Sequence, residues 1–467
     1  MCQKISAWAD TNEMRVGIAK CGVMVVNGSM DELGQASGIY LQGERVPVVE
    51  TYTYLGLNFT PALDKRSILE PRFVQSRRTV NRLRPFLGCK VIPMYLRLKV
   101  LKAVVLPRLL YGAEVYGMCK ELTNAMQTYL NKALRVLAGC TAQAPVSNVA
   151  LWSEFGLDTI CALAASRRAR AFQKCKNLRT WVRELVVNPY RCRKWTWVTG
   201  TTRWLNRYFD RLHPDQRLTE NHAWMRLSPK KLKTAIKEAL AIRENRRRPC
   251  AAADNYVNRG YRSQRIVSVK MTCPTMFNPG LTFMVKARLG GTWLGKRLAR
   301  HGLIHARYIQ FCPCCQMRQA ETVTHLLVQC RRWRTLRSVW LADLIRTAEG
   351  IVPRENLCLR ARDVAILLLG GKVAGGKLPD WLVYASNNSA SNSVFPMNED
   401  SSDDDDDDYD VQDYPIPNAT MSLSGGLRVA GFLTQVIRAR APIIRALRRP
   451  PGLRRVPFSA SGQRPAG

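Results

Sequence analysis

Apolar positions in residues 1–60 come in short runs, whereas from Asp64 onward they recur at the spacing of a helix. After a helical start, the run from Cys21 to Val26 predicts a buried strand. Two apolar runs flank Gln42-Gly43-Glu44, which predicts a β-hairpin between Ile39 and Val49. The segment from Tyr52 to Leu57 predicts another short strand. The chain therefore begins with a small β-containing region.

Three helices with short connections are predicted between residues 64 and 139. Asp64 is a suitable N-cap for the first, and Pro93 suits the first turn of the second. Pro107 should kink or break that second helix, because proline lacks the donor for the bond one turn back. The third helix spans about Leu122 to Leu137 and ends near Gly139. This arrangement is typical of a small helical bundle.

The remaining chain is mostly helical in pattern until about Ala374, so the predicted fold class is α+β but mostly α. Ser228-Pro229 is a cap and first-turn pair that opens a helix reaching about Arg246. Residues 386–426 are rich in Ser, Asn and Asp and cannot bury enough apolar surface to fold. Five consecutive segments are predicted: a β-containing region with a hairpin at 1–60, a helical bundle at 61–145, a basic helical connector at 146–300, a cysteine-rich unit with flanking helices at 301–375, and a disordered tail, first acidic and then Arg-rich, at 376–467.

The net charge of the chain is its most unusual property and indicates the class of partner. The 467 residues include 72 Lys and Arg against 35 Asp and Glu, a formal net charge of +37. Six of the acids form one run, Asp403 to Asp408, which is typical of a solvated tail. So large an excess favours a polyanionic partner, nucleic acid first and an anionic membrane surface second. The sequence contains no uncharged apolar stretch long enough to span a membrane and no apolar signal core.

The cysteines at 312–330 have the spacing of a metal site. Cys312, Cys315, His325 and Cys330 form the pattern Cys-x2-Cys-x9-His-x4-Cys. Three thiolates and one imidazole complete a tetrahedral zinc shell with no open position, so this set predicts a structural Zn²⁺ site. Cys314 is an alternative to Cys315, although Cys-x2-Cys gives the better turn. The competing interpretation is a group of unrelated buried cysteines.

Cationic and aromatic residues give two further candidate sites. The first helix carries five arginines suited to phosphate contacts, with a solvated basic face as the alternative: Arg72, Arg77, Arg78, Arg82 and Arg84. Further along, tryptophans alternate with cations, a pattern suited to stacking on unpaired bases. These residues are Trp195, Trp197, Arg203, Trp204 and Arg207. The alternative is that the tryptophans anchor a small core.

Four blocks, in the expected order, resemble non-LTR retrotransposon reverse transcriptases over residues 1 to about 375. The block from Trp8 through Met24, with Lys20-Cys21-Gly22-Val23-Met24, resembles the palm segment just after the catalytic strand. Tyr52-Thr53-Tyr54-Leu55-Gly56 resembles the primer grip, and Pro107 to Glu114 resembles a thumb helix. Glu321 to Cys330 completes a zinc knuckle. The resemblance implies that 1–60 is the end of a palm with a primer-grip hairpin and that 61–145 is a thumb bundle.

The same resemblance implies nucleic-acid contacts by Lys20, Tyr54, Leu55 and Gly56, with a hairpin core role as the alternative for Tyr54 and Leu55. In this family, two metal ions held by aspartates carry out polymerisation. Those aspartates would precede Met1, so we expect no polymerase activity from this chain alone and Mg²⁺ only if a catalytic palm completes it. Pro379-Asp380 lacks the acid-x-Lys pair of the nuclease found in some relatives, and it is interpreted as a turn.

The leading hypothesis is a C-terminal portion of a reverse transcriptase that binds RNA and DNA, either template–primer or target DNA. One alternative is a part of an active RNA-directed DNA polymerase whose palm is supplied separately. Another is a non-enzymatic zinc-knuckle module for protein interaction. Basic clusters at 230–233 and 246–248 resemble nuclear import signals, which favours the nucleus, with the cytoplasm as the alternative. The Ile- and Arg-rich segment from Phe432 to Leu453 is expected to be disordered, with binding to nucleic acid or to an anionic membrane as the alternatives.

Overall fold

A computed structural model describes most of the chain. The described residues are 1–26, 28, 38–141, 144–187, 196–212, 227–247, 256, 258–261, 275–352, 357–373 and 425–448. Within them the protein is mostly helical with a few short strands, as the predicted α+β, mostly α class requires.

Two short antiparallel hairpins make up the paired strands of the described residues. They are β1 (Tyr40–Leu41) with β2 (Glu44–Arg45), and β3 (Tyr52–Tyr54) with β4 (Leu57–Phe59). Gln42 and Gly43 connect the first pair with φ of 47° and 78°, and Leu55 and Gly56 connect the second with 47° and 71°. Two consecutive positive φ values are the mark of the type I′ turn, whose twist matches that of the strands. The predicted hairpin is confirmed, and the segment predicted as a single strand is part of a second hairpin.

The predicted buried strand from Cys21 to Val26 is wrong. Its one ladder contact is a parallel bridge between Val23 and Val48, and no residue of the run is buried. An apolar run becomes a strand only where neighbouring strands satisfy its backbone groups. This run has a single bridge in the described structure, so it stays irregular.

Seventeen α-helices of the described residues account for most of the fold. In order they are α1 (Cys2–Thr11), α2 (Lys65–Gly88), α3 (Met94–Val100), α4 (Leu106–Leu109), α5 (Ala113–Tyr116), α6 (Lys120–Leu137), α7 (Asn148–Phe155), α8 (Ile160–Lys176), α9 (Trp181–Val187), α10 (Trp197–Leu212), α11 (Pro229–Arg247), α12 (Asn278–Arg288), α13 (Gly295–Arg300), α14 (Arg334–Trp340), α15 (Ala342–Ile351), α16 (Leu357–Leu368) and α17 (Gly425–Leu447). Among these residues no single helix has both the length and the apolar composition of a membrane span, although α7 and most of α8 would meet both criteria as a bent pair.

The predicted helix signals in residues 64–139 are confirmed. The Asp64 carboxylate accepts the backbone N–H of Ser67 at 2.9 Å, which caps α2 and lowers the pKa of Asp64. A π-helical turn, Leu101–Val105, joins α3 to α4 just before Pro107. Because proline removes one helical donor and its ring collides with the preceding turn, the extra residue of a π turn accommodates it.

The residues group into two compact units. The first comprises Met1–Pro85, Lys99–Ala133 and Asp158–Arg248, and the second comprises Phe86–Leu98, Leu134–Leu157 and Pro249–Gly467. Each unit combines separate stretches of chain, whereas the five predicted segments are consecutive.

In the first unit, α8, α10 and α11 enclose a hydrophobic cluster that includes Phe172, Leu205 and Ile236. The buried Arg168 lies beside it and donates to Thr201 and to the carbonyls of Val115, Gly117 and Trp197. Burial lowers the pKa of Arg168 to about 10, so the side chain stays charged at neutral pH. Its hydrogen bonds offset the cost of burying that charge.

In the second unit, α12 and α17 cross in close contact. A Cβ atom on Gly280 would lie 1.8 Å from the Ala430 carbonyl oxygen, and Thr434 Oγ1 accepts the Gly280 N–H at 3.0 Å. The buried face of α17 includes Phe432 and Leu433. The prediction of disorder for 376–467 is therefore wrong for residues 425–447. Their apolar residues recur at helical spacing, and packing against α12 gives that face a partner.

Candidate metal centre and basic surface

A tight loop and a π-helical turn bring the cysteines and the histidine together. In the loop, the Cys312 N–H donates to Met317 O at 3.0 Å and the Gln316 N–H donates to Cys312 O at 2.9 Å. In the turn, His325–Gln329, the Cys330 N–H donates to His325 O at 2.7 Å. Each backbone element thus places two potential ligands on the same side.

The predicted set of four side chains converges on one point. The ligand atoms of Cys312, Cys315, His325 and Cys330 all lie within 4.8 Å of one another. Cys312 Sγ is 4.0 Å from Cys330 Sγ, and Cys315 Sγ is 3.4 Å from His325 Nε2. Three of the four residues are buried and Cys315 is half-buried. These side chains can hold a metal ion.

Without a cation, the close approach of the thiols favours one thiolate over the others. Contacts with Cys314 and Cys330 lower the pKa of Cys312. The neighbouring Cys312 and burial raise the pKa of Cys330. One thiolate is therefore stabilised at the expense of its neighbours. A bound cation is what would allow all three predicted cysteine ligands to be deprotonated together.

Cys314, the alternative ligand, lies towards Glu321 instead. Its Sγ is 3.5 Å from Glu321 Oε1, and its backbone N–H donates to Cys312 Sγ at 3.4 Å. With Cys312 and Glu321 it forms a second group whose ligand atoms lie within 4.8 Å. The contact with Cys312 and burial raise the pKa of Cys314, which favours its thiol form.

Glu321 connects this centre to α17 and was missed by the sequence analysis. Its carboxylate is 1% exposed and accepts hydrogen bonds from Arg440 Nε at 2.7 Å and Nη2 at 2.8 Å. It also accepts the Gly295 N–H. The signal in the sequence was that Glu321 is the only acid between residues 289 and 342. Nothing in the sequence marked Arg440, which is 119 positions away.

The arginines predicted on α2 fall into two classes. Arg77, Arg78, Arg82 and Arg84 are exposed and form no ion pair within the described residues. At helical spacing they share one broad face of α2. Arg72 is half-buried and has internal contacts instead, so it differs from the other four.

Arg72 and Tyr111 hold the turn of the second hairpin. Arg72 Nη2 donates to Leu55 O at 3.2 Å, Tyr111 OH donates to the same oxygen at 2.5 Å, and the guanidinium lies 3.9 Å from the Tyr111 ring centroid. Tyr54 and Leu55 are 60% and 69% exposed. Two blocks of the family resemblance, one at 52–56 and one at 107–114, therefore meet at this turn.

Gly56→Ala is expected to destabilise this hairpin by more than ~2 kcal/mol. A left-handed backbone costs a non-glycine residue ~1–2 kcal/mol, and the new Cβ would lie 1.6 Å from Arg72 Nη2. Gly43→Ala is the matched control, since Gly43 has φ of 78° and open space around its Cβ position. Hydrogen exchange of each hairpin measures both effects. Equal losses of hairpin stability in the two variants would contradict the close packing of Arg72 against the turn at Gly56.

The remaining predicted contact residues lie in different surroundings. Lys20 is exposed, and its carbonyl accepts Tyr52 OH at 2.6 Å. Trp197 donates to Glu114 O and packs against Phe172.

Trp204 stacks on Tyr208 with ring centroids 4.1 Å apart, and both tryptophans, Trp197 and Trp204, border the hydrophobic cluster of the first unit. Their rings thus contribute to the core, which was the alternative interpretation. Arg203 and Arg207 are exposed on α10, and Trp195 lies outside the described residues.

No protein-family model matches this chain, and searches of the curated proteins and of the solved structures found no similar protein. The assignment of the metal centre and of the basic surface therefore depends on the residues of this chain alone.

Proposed function

We propose that this chain is a nucleic-acid-binding, zinc-containing C-terminal portion of a reverse transcriptase of the non-LTR retrotransposon type. The convergence of Cys312, Cys315, His325 and Cys330 is the observation that carries the proposal. The net charge of +37 favours RNA and DNA as the partners. Lys230 and Lys231 are exposed, which supports a role of this basic cluster in nuclear import.

Zinc fits the cluster in both geometry and donor type. Tetrahedral Zn²⁺ with bonds of ~2.3 Å to sulfur places two ligand sulfurs about 3.8 Å apart. The 4.0 Å between Cys312 Sγ and Cys330 Sγ is close to this value. Three thiolates and one imidazole leave no open position, which is the composition of a structural site. His325 Nε2 faces the cluster, since it lies 3.4 Å from Cys315 Sγ, and His325 Nδ1 is buried without a hydrogen-bond partner in the described structure.

The surface around the cluster suits a polyanion. Ten Lys and Arg residues lie in 291–350 against three acids, and two of those acids pair with arginines: Glu321 with Arg440, and Asp343 with Arg346. The positive charge is therefore left largely uncompensated at the surface. Cations of this kind contact phosphates and supply binding without sequence preference.

The meeting of the resemblance blocks supports the family part of the proposal. Tyr111 and Leu55 belong to two blocks more than fifty positions apart, and they share a hydrogen bond. An accidental similarity would not require these blocks to be neighbours. In a complete polymerase this hairpin would lie at the primer strand, where the exposed Tyr54 and Leu55 are available for contact.

Replacing Arg77, Arg78, Arg82 and Arg84 by Gln is expected to weaken binding to an RNA–DNA duplex by at least about tenfold near 50 mM salt. Each lost phosphate contact should reduce the slope of log K against log salt by about 0.9. Fluorescence anisotropy across a salt series measures both quantities. Lys230→Gln with Lys231→Gln is the control and should lose less affinity per charge removed. A wild-type salt slope in the fourfold variant would contradict phosphate contact by α2, and salt-insensitive binding by the unmodified chain would overturn the proposed function.

A further inference from the structure

A cleft of about 340 Å³ lies next to the residues that surround the metal centre. Its walls are the loop before α13, α13 itself and the segment 321–323. The volume falls within the ~300–1,000 Å³ usual for ligand sites. None of the predicted contact residues lines it, so it is a separate feature of the basic surface.

The lining of the cleft is cationic. Lys296, Arg297 and Arg300 contribute to it, and none of the three forms an ion pair with an acid of the described chain. The one acid in the lining is Glu321, whose side chain is 1% exposed and bonded to Arg440. Since Arg440 compensates the charge of Glu321, the positive charges of the other three dominate the cleft.

Arg297 is held in a fixed orientation. Its Nη1 donates to the carbonyls of Gly290 and Thr292, each at 3.0 Å, and its guanidinium lies 5.1 Å from the Trp293 ring centroid. Nε and Nη2 have no hydrogen-bond partner within the described structure. A guanidinium that is already positioned loses less side-chain entropy when it binds an anion with its remaining donors.

We propose that the cleft formed by Lys296, Arg297, Arg300 and Thr322 binds a backbone phosphate of a nucleic acid. This inference rests on the proposed function and names a specific contact within it. Arg297 supplies a fixed donor, and the half-buried Lys296 and exposed Arg300 supply positive charge. The Thr322 hydroxyl oxygen accepts the His325 N–H at 3.1 Å, which leaves its own hydrogen as a neutral donor. No side-chain amide lines the cleft to read a base edge, so the contact is independent of sequence.

Lysine acetylation followed by mass spectrometry tests this contact residue by residue. With an RNA–DNA duplex at about four times its Kd, acetylation of Lys296 should slow about fivefold, because only about one fifth of the protein is then free of duplex and open to the reagent. Lys372, which is exposed in the same unit and does not line the cleft, is the internal control and should keep its rate. Inorganic phosphate at the same phosphate concentration should leave Lys296 unprotected.

The outcomes separate this inference from the proposed function. If the duplex binds without protecting Lys296 from acetylation, the cleft does not bind a backbone phosphate, but the chain still binds nucleic acid. If inorganic phosphate protects Lys296 as well as the duplex does, the cleft binds small anions and the proposed contact with a nucleic-acid backbone is also contradicted. A chain that binds no duplex at low salt overturns the proposed function itself.

A variant provides an independent measurement. Lys296→Gln with Arg300→Gln should weaken duplex binding about tenfold and lower the salt slope by about 0.9, the value for one phosphate. Its zinc content should stay that of the unmodified chain, because neither residue is among the four clustered side chains. Arg331→Gln with Arg334→Gln removes the same charge from exposed residues outside the cleft and should cost less affinity. Equal losses in the two variants would count against the cleft.

Discussion

Chains with His325→Ala or Cys315→Ser should bind zinc at least about 100-fold more weakly than the unmodified protein. Changes that only touch a ligand's supporting groups already cost 10–100-fold in metal affinity, so loss of a ligand costs at least the upper end of that range. Structural zinc contributes ~10–16 kcal/mol to the folding of small modules, so the segment around 312–330 should also unfold. Metal content by mass spectrometry and limited proteolysis measure the two effects.

Cys314→Ser is the matched control for this experiment. Cys314 is a buried cysteine of the same loop, but its thiol lies towards Glu321 and outside the group of four. Its backbone N–H, which contacts Cys312 Sγ, is unchanged by the substitution. The variant should therefore keep about one zinc per chain. Loss of zinc from Cys314→Ser with retention in Cys315→Ser would reverse the assignment of the second ligand.

The metal affinity should also fall as the pH falls. Without a cation, the neighbouring Cys312 and burial raise the pKa of Cys330, so this residue holds a proton that metal binding must release. Lower pH favours the protonated, metal-free form. Competition with a chelator at several pH values measures this dependence, and a pH-independent affinity would contradict thiolate ligation.

Arg440→Met should destabilise the second unit by about 3–5 kcal/mol, the usual cost of leaving one partner of a buried ion pair uncompensated. Burial opposes the charged form of Arg440, but the hydrogen bonds to Glu321 and the attraction between the two charges hold its pKa above the usual value. Without the guanidinium, Glu321 keeps only the Gly295 N–H and the Cys314 thiol as hydrogen-bond partners among the described residues. Chemical denaturation measures the loss in the free energy of unfolding, and hydrogen exchange of residues 290–345 shows whether it falls in this part of the chain.

Two further variants identify the cause of that loss. Arg438→Met removes an exposed arginine of the same helix and should change stability by less than ~0.5 kcal/mol. Adding Glu321→Gln to Arg440→Met removes the buried charge and should restore part of the stability. A double variant as unstable as Arg440→Met alone would show that packing of α17, and not the ion pair, is responsible.

Local signals in the sequence were enough to predict the local parts of the structure. The type I′ turn at Gln42-Gly43 and the cap at Asp64 depend on neighbouring residues, and the sequence located both. The spacing of Cys312, Cys315, His325 and Cys330 also identified the set that converges. In each case the backbone between the residues is short enough to determine their geometry.

Contacts between distant segments could not be predicted in the same way. An amphipathic, basic helix has the same pattern whether it packs or is solvated, so the sequence alone did not show that residues 425–447 pack against distant segments such as α12 and Glu321. Trp197 and Trp204 show the same ambiguity, because an aromatic ring among cations suits either a core or a nucleic acid. The strand predicted at 21–26 had the right composition but lacked neighbouring strands.

The ion pair between Glu321 and Arg440 has a consequence for how the protein is made. The ribosome finishes the four clustered side chains, Cys312, Cys315, His325 and Cys330, well before it reaches Arg440, which follows Glu321 by 119 positions. Until α17 emerges, the nascent chain carries the Glu321 carboxylate without its guanidinium partner beside the proposed metal site. Translation that stops before α17 would therefore yield a chain in which Glu321 lacks its partner Arg440, and we expect that chain to be cleaved by proteases faster than the finished product.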